Sequence, residues 1–328
     1  MEIKGILISS VAVFENHIAN GGEKLLGNAS SIKRRPDGKV YVSGQMQRHV
    51  LFSAIDRLNR EDENNGNTFV SNGDGISNQI EKDIRADLGG FMHPSKGDYS
   101  GRRTAPLTVT PAVALNQSEV GRDLLIRLQH NVKGDKVYSN GYVNRLDSND
   151  QDAADPKKQA LATREFSEID LMHMNFFLDV STLGLSKVFE YENNFHINTA
   201  FIKHTPETER LRRVNLFIEA TRSMNDYANQ ARNAVSGEPQ RVLIVFDAKL
   251  SRKASRYFTG NDIEKANILK ELKARGAKYF LGDDTQGGTS VWEAYSQALK
   301  FLADSTLYDP NNGDENIRTF AEVFENAE

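Results

Sequence analysis

Six apolar stretches follow one another along the 328 residues in the order strand, helix, strand, strand, helix, strand. That order limits the fold more than any other feature. Ile3 to Phe14 is rich in Ile, Val and Leu and reads as a buried central strand. Met46, Val50, Leu51, Ala54, Ile55 and Leu58 recur at helical spacing behind Ser43, a suitable N-cap. Leu107 to Leu115 is extended again, but Pro106 and Pro111 confine it to a sheet edge or a bulge, because proline has no N–H to donate. Ile169 to Ser181 is another core strand. Pro206-Glu207 opens a helix running to about Ala234, with Leu211, Val214, Phe217, Ile218, Thr221 and Met224 as its apolar stripe. Arg241 to Asp247 is the clearest buried strand of all.

This is the split βαβ order of ferredoxin-like and RRM-like folds, which predicts an α+β protein with long insertions between core elements. Many functions share that fold, so the order alone does not give one. Between the core elements, Asn16 to Asn28 reads as a glycine-containing loop and Glu61 to Asp74 as an acidic surface excursion. Ile80 to Leu88 reads as a short helix closed by Gly89-Gly90, and Gly121 to Gln129 as a short amphipathic segment. Two helices are expected near 262–275 and 290–303, followed by a frayed acidic end after Asp309-Pro310. There is no cysteine, which excludes disulfides and thiolate chemistry. No uncharged apolar run reaches the length of a membrane span and no secretory signal is recognised, so the expected compartment is the cytoplasm. The net charge of −4 excludes a uniformly basic nucleic-acid coat and leaves room for a local basic groove.

Such a groove has a candidate. Lys33, Arg34, Arg35 and Lys39 lie on a ribbon that folds back at Pro36-Asp37-Gly38, where Pro pre-sets φ and Gly supplies a positive one. The ribbon leads into the first helix, with Arg48 and His49 in its early part. Basic side chains beside a helix N-terminus suit a phosphate. The same residues also fit an ordinary hairpin and helix with a solvated charged face. Asn131 to Ala162 is the least core-like stretch, and its Lys133, Lys136, Tyr138, Tyr142 and Arg145 suit either a contact surface or a plain β-hairpin.

At Val40 to Arg48, Asp83 to Met92, Arg102 to Val113 and Arg164 to Ile169 the chain resembles the backbone-forming RAMP subunit, DevR-like branch, of type I CRISPR-associated Cascade complexes. The resemblance implies a right-hand shape. An RRM-like palm would comprise 1–60, 106–117 and 164–328, with fingers at 61–105 and a thumb at 118–163. It implies a non-catalytic protein without cofactor or metal that polymerises along the spacer of a guide RNA (crRNA). The guide would then pair with target DNA, beside other Cascade subunits and away from membranes. Ser43, Gln45, Arg48 and His49 fall where the family contacts the RNA backbone, although the family commonly has Lys or Arg where His49 stands. Met92 falls where an apolar side chain presses on bases. Lys33, Arg34, Arg35, Arg102 and Arg103 are looser RNA-binding assignments, and Lys133, Lys136 and Arg145 belong to the thumb. A guide must be gripped through phosphate and ribose so that its bases stay free to pair, which suits these donor types.

Two other classes compete. A metal-dependent ribonuclease like the backbone subunits of type III complexes needs an aspartate in the loop after the first strand. Asn16 to Arg35 offers only Glu23, and Asp37 is explained by its turn. A free-standing RRM-like binder needs exposed aromatics on central strands, where Met172, Met174, Phe176 and Phe177 form no recognisable stacking motif. His173 and His196 read as core or solvated histidines, Asp247 as a capping or loop residue, and Gly282 to Gly288 as the loop before a helix around Trp292.

Overall fold

The structure is a computed structural model describing residues 1–18, 23–24, 29–70, 77–93, 101–127, 136–139, 142–145, 160–227, 235–311, 314 and 316–324. In chain order its main elements are β1 (Gly5–His17), α1 (Gly44–Glu61), α2 (Ile84–Gly89), β2 (Leu107–Val109), β3 (Ala112–Ala114) and β4 (Val120–Arg127). They continue with β5 (Ala160–Asp179), β6 (Leu185–Glu192), β7 (Phe195–Lys203), α3 (Glu207–Arg222), β8 (Pro239–Asp247), α4 (Asp262–Ala274), β9 (Lys278–Asp283) and α5 (Val291–Ala303). It is an α+β protein.

The main sheet runs β9-β8-β1-β5. Gly5 stands opposite both Asp179 of β5 and Asp247 of β8, and every neighbour in this run is antiparallel. The C-terminal half of β5 carries β2 and β3 on its outer edge, while its N-terminal half pairs with β4. Pro111 is the reason β2 and β3 are two strands. Thr110 bridges the break, its N–H donating to the Asn175 carbonyl at 3.0 Å and its Oγ1 accepting from the Asn175 N–H at 3.0 Å. The expected bulged edge strand is therefore observed.

Alternation along β1 sorts the core into two layers. Ile6 and Ile8 face α1, α3 and α5, packing with Leu51, Ile55, Phe217 and Tyr295. Leu7 faces the other way and joins Phe177, Leu243 and Val245 beneath Ile268 and Leu272 of α4. The sheet is thus covered by helix on both faces. The surface a free-standing RRM-like binder would use is packed, and Phe177 lies there at 4 % exposure with the Arg252 guanidinium over its ring.

Several elements differ from expectation. The second core helix ends at Arg222 rather than near Ala234, because Gly237 turns back to donate its N–H to the Met224 carbonyl at 2.7 Å. Gly121 onward is the strand β4, zipped to β5 from Val120 opposite Ser167 to Arg127 opposite Ala160. Residues 317–320 dock instead of fraying. Ile317 pairs with Lys203, and Phe320 is buried in an edge-on contact with Phe91. The β6–β7 hairpin has no counterpart in the sequence reading.

Candidate nucleic-acid interface

The ribbon forms as its sequence dictates. Arg35 N–H donates to the Lys39 carbonyl at 2.8 Å and Tyr41 N–H to the Lys33 carbonyl at 3.3 Å, with Arg34 bridged to Val40. Gly38 takes φ +80° to close the turn, and Asp37 Oδ1 accepts from the Lys39 N–H at 3.2 Å. Asp37 is therefore a turn residue. Buried Ile32, Val40 and Val42 anchor the ribbon, leaving Arg34 and Arg35 exposed and Lys33 and Lys39 half-buried. None of these four cations has an ion-pair partner among the described residues, whereas Arg122, further along, pairs with Glu165 at 3.0 Å.

Tyr41–Val42 pairs with β3 and delivers the chain to α1. Ser43 caps that helix, its Oγ accepting from the Met46 N–H at 3.2 Å, and the first turn contains no acidic residue. A helix N-terminus without a carboxylate, next to unpaired cations, favours an anion. Gln45 and His49, four residues apart, share one exposed side of the helix, while Gln47 is buried and accepts from the Tyr227 hydroxyl at 3.0 Å. Arg48 lies between these situations. Its guanidinium donates to the Gly89 carbonyl at the end of α2 and lies over the Phe52 ring, 5.6 Å from its centroid. Burial, then the nearby Arg85, lowers its pKa from the ordinary arginine value, and it remains a cation at neutral pH. Gly89 permits this approach, since a Cβ there would sit 2.6 Å from Arg48 Nη2.

The ribbon root is tied to the sheet by a buried polar set. His17 Nε2 and Ser118 Oγ each lie 2.6 Å from the Asp170 carboxylate, and Ser118 Oγ also accepts from the Val40 N–H at 3.4 Å. Burial pushes the Asp170 pKa up, but hydrogen bonds from His17, Ser118 and Ser167 outweigh it and leave the carboxyl below its ordinary value.

The structure thus brings Lys33, Arg34, Arg35, Ser43, Gln45 and His49 together, with Arg48 at their margin. Arg103 stands apart. It is buried, its Nε donating to the Asp87 carbonyl at 3.2 Å and its Nη2 to the Thr182 carbonyl at 2.7 Å, with further bonds to the Asp87 carboxylate and the Leu185 carbonyl. All its donor groups face protein, so it ties the end of α2 to the Thr182–Leu185 turn. Met92 stands opposite Arg102 in a two-stranded ribbon. Lys136 stands opposite Arg145 in a second such ribbon, and Lys133 lies outside the described residues.

Sequence reasoning missed Arg210 and Arg213, both completely buried on α3. Arg213 Nη1 lies 2.7 Å from Asp87 Oδ2, so Asp87 is clamped between Arg103 and Arg213. Arg210 reaches the Leu183, Val180 and Tyr308 carbonyls at 2.8–3.0 Å. The side chains judged structural behave so. Asp247 accepts from the Lys249 N–H and the Arg275 Nε, and Ser290 caps α5 in a reciprocal pair with Glu293. His173 is buried and His196 exposed. Among the described residues, no helix is long and apolar enough to cross a membrane.

The model of one protein family, described as "CRISPR-associated negative auto-regulator DevR/Csa2", matches residues 8–237. The chain belongs to the DevR/Csa2 family. As a DevR/Csa2 protein it shares its fold with chains of solved assemblies. One, titled "CRISPR RNA-guided surveillance complex", superposes with a TM-score of 0.53 at 13% identity, covering 92% of this chain and 99% of its own. Another, titled "CRISPR RNA-guided surveillance complex, pre-nicking", gives 0.54 at 12% identity, covering 91% and 99%. No curated protein sequence matches significantly.

Proposed function

We propose that this DevR/Csa2 protein is a non-catalytic backbone subunit of a type I CRISPR surveillance complex. It grips the phosphates of a guide RNA and repeats along the spacer, beside other Cascade subunits. One observation carries the reading. A ribbon with four cations lacking ion-pair partners among the described residues runs into a helix N-terminus with no carboxylate in its first turn. A surface of that kind contacts charge and ribose and leaves base edges free for pairing with target DNA.

The strand order supports an RRM-like palm. Numbering the core strands in sequence as β1, β2/β3, β5 and β8, the sheet places them fourth, first, third, second. On this reading the palm comprises 1–60, 106–117 and 164–328, the fingers 61–105 and the thumb 118–163. Ser43, Gln45, Arg48 and His49 contact the RNA backbone with Lys33, Arg34 and Arg35. Met92 presses on bases from the fingers beside Arg102, and Lys133, Lys136 and Arg145 act from the thumb. No residue cleaves.

Purification of the chain alone gives the test. The expected result is a ladder of oligomers carrying RNA of mixed length, stable with complementary RNA and Mg²⁺ or Mn²⁺. An RNA-free monomer would refute the reading. Regularly spaced cuts in the complementary strand that vanish in Glu23→Gln would move the protein to the ribonuclease class.

A further inference from the structure

The β6–β7 hairpin projects into solvent with its apolar side chains outward. Phe189, Tyr191, Phe195 and Ile197 are 55–74% exposed. Asn193 and Asn194 close it as a two-residue turn, both at positive φ (49° and 68°), which matches the twist of a tight hairpin. His196 stacks edge-on against Phe189 and Tyr191 at 5.8 and 5.7 Å, so the tip is an ordered aromatic cluster. A two-stranded ribbon open to water on both faces is marginal alone, and a patch of this kind marks a contact surface. Between Val188 and Asn198 the hairpin has Glu190 and Glu192 and no lysine or arginine. That disfavours a phosphate backbone and calls for an apolar protein surface with a cation in it.

One such surface lies at the far end of the sheet. A cavity of about 550 Å³ has Tyr257, Phe258 and Leu281 as its apolar lining and Arg241 on its wall. The Arg241 Nε is buried without a hydrogen-bond partner among the described residues, and the guanidinium lies over the Phe258 ring at 5.8 Å. Carboxylates at the rim are engaged elsewhere. Asp262 pairs with Lys265 at 3.3 Å, and Asp283 Oδ1 accepts from the Thr285 N–H and Oγ1 at 2.8 and 2.6 Å. Arg241 is left to meet an anion from outside.

Arg241 stands opposite Val11 and Asp283, whereas the chain enters the hairpin just past Asp179, which stands opposite Gly5. Val11 and Gly5 are six residues apart on one strand, about 20 Å. The root of the hairpin and the pocket therefore lie towards opposite ends of the sheet, and within one copy the tip is exposed. Two different complementary surfaces on one molecule make a head-to-tail contact, which repeats from copy to copy when the rotation does not close a ring. We propose that the β6–β7 tip of one copy seats its aromatic side chains in the Arg241 pocket of the next, with Glu190 or Glu192 meeting the guanidinium. The choice of a second copy as occupant rests on the repeating assembly proposed above. The contact itself is between protein surfaces and does not use the RNA grip.

The cysteine-free sequence makes the test direct. Full-length Phe195→Cys and Gln286→Cys variants are mixed and oxidised, with and without long single-stranded RNA. A disulfide forms only when Cα atoms come within about 7 Å. The expected result is a mixed disulfide dimer, enriched over a Phe195→Cys and Lys300→Cys control. A charge swap provides the second measurement. Arg241→Glu or Glu192→Arg alone is expected to reduce the cross-linked product, and the two together to restore it. No enrichment, or a double variant as poor as the singles, would overturn the contact. Cross-linking by a chain that binds no RNA would instead refute the RNA reading and leave the contact standing.

Discussion

Two groups of arginines in this protein make a contrast. Arg34 and Arg35 sit exposed on a ribbon, without ion-pair partners among the described residues, beside a helix N-terminus free of carboxylates. The side chains of Arg103, Arg210 and Arg213 are sequestered among carbonyls and the carboxylates of Asp87, Glu207 and Glu209. Residue type is the same; what differs is whether the fold supplies the anion. Where it does, the charge fixes how α2, α3 and the start of the β6–β7 hairpin join. Where it does not, the charge stays open to an anion from outside, the guide RNA in the function proposed above. Arg48 shares both situations, with a carbonyl acceptor from Gly89 and a position near the open helix end.

This contrast is sharpest under Asp87→Asn, which leaves buried Arg103 without its carboxylate partner and Arg213 with Glu209 alone. Removing one partner of a buried ion pair destabilises by about 3–5 kcal/mol. Urea unfolding is expected to show a loss of that size, with unchanged RNA affinity in the fraction still folded. If RNA affinity per folded molecule fell instead, the two populations would not be separate.

A second expected effect is acid sensitivity confined to the buried region. Burial lowers the pKa of both His173 and His204 to about 4. The unfolded chain takes up protons near pH 6.5 while the folded one does not, so stability falls with pH through the window between those values. From pH 7 to 5 each histidine is expected to remove about 1–2 kcal/mol. Asp170 behaves otherwise. Its depressed pKa keeps its contribution intact above about pH 4 and loses it only as pH falls through the folded value. Denaturation midpoints at pH 7 and 5 check this, and a flat profile would contradict it.

On the exposed side, replacing Lys33, Arg34 and Arg35 together by alanine is expected to flatten the log–log salt dependence of RNA binding by about 2, at roughly 0.7 per single-strand phosphate contact. Folding stability should change by no more than about 0.5 kcal/mol. Arg48→Ala should flatten the slope by about 0.7 and weaken all RNA sequences alike. A loss restricted to one sequence would indicate base readout.

The exposed population was legible in the sequence because local rules and clustering agree there. Pro36-Asp37-Gly38 predicts the turn, Ser43 the cap and the apolar spacing from Met46 onward the helix, which together place the cations side by side. The buried population was not. Arg210 and Arg213 fall within an ordinary amphipathic helix pattern, and only the tertiary approach of Asp87 and the Leu183 carbonyl reveals that they face inward. The β6–β7 hairpin escaped for a related reason. Its signal was Asn193-Asn194 between short alternating runs, but its outer half buries nothing, so no apolar face marks it as core. Likewise, nothing local shows that Phe320 finds a seat against Phe91, and the tail read as frayed.

Repeating assembly on RNA through the exposed cations is tested most directly by mass. Light scattering of the full-length chain on guide RNAs of increasing spacer length is expected to show a copy number that rises in regular steps, and fewer copies for the Lys33, Arg34 and Arg35 triple variant at high salt. A copy number independent of spacer length, with the triple variant indistinguishable from the parent, would contradict it.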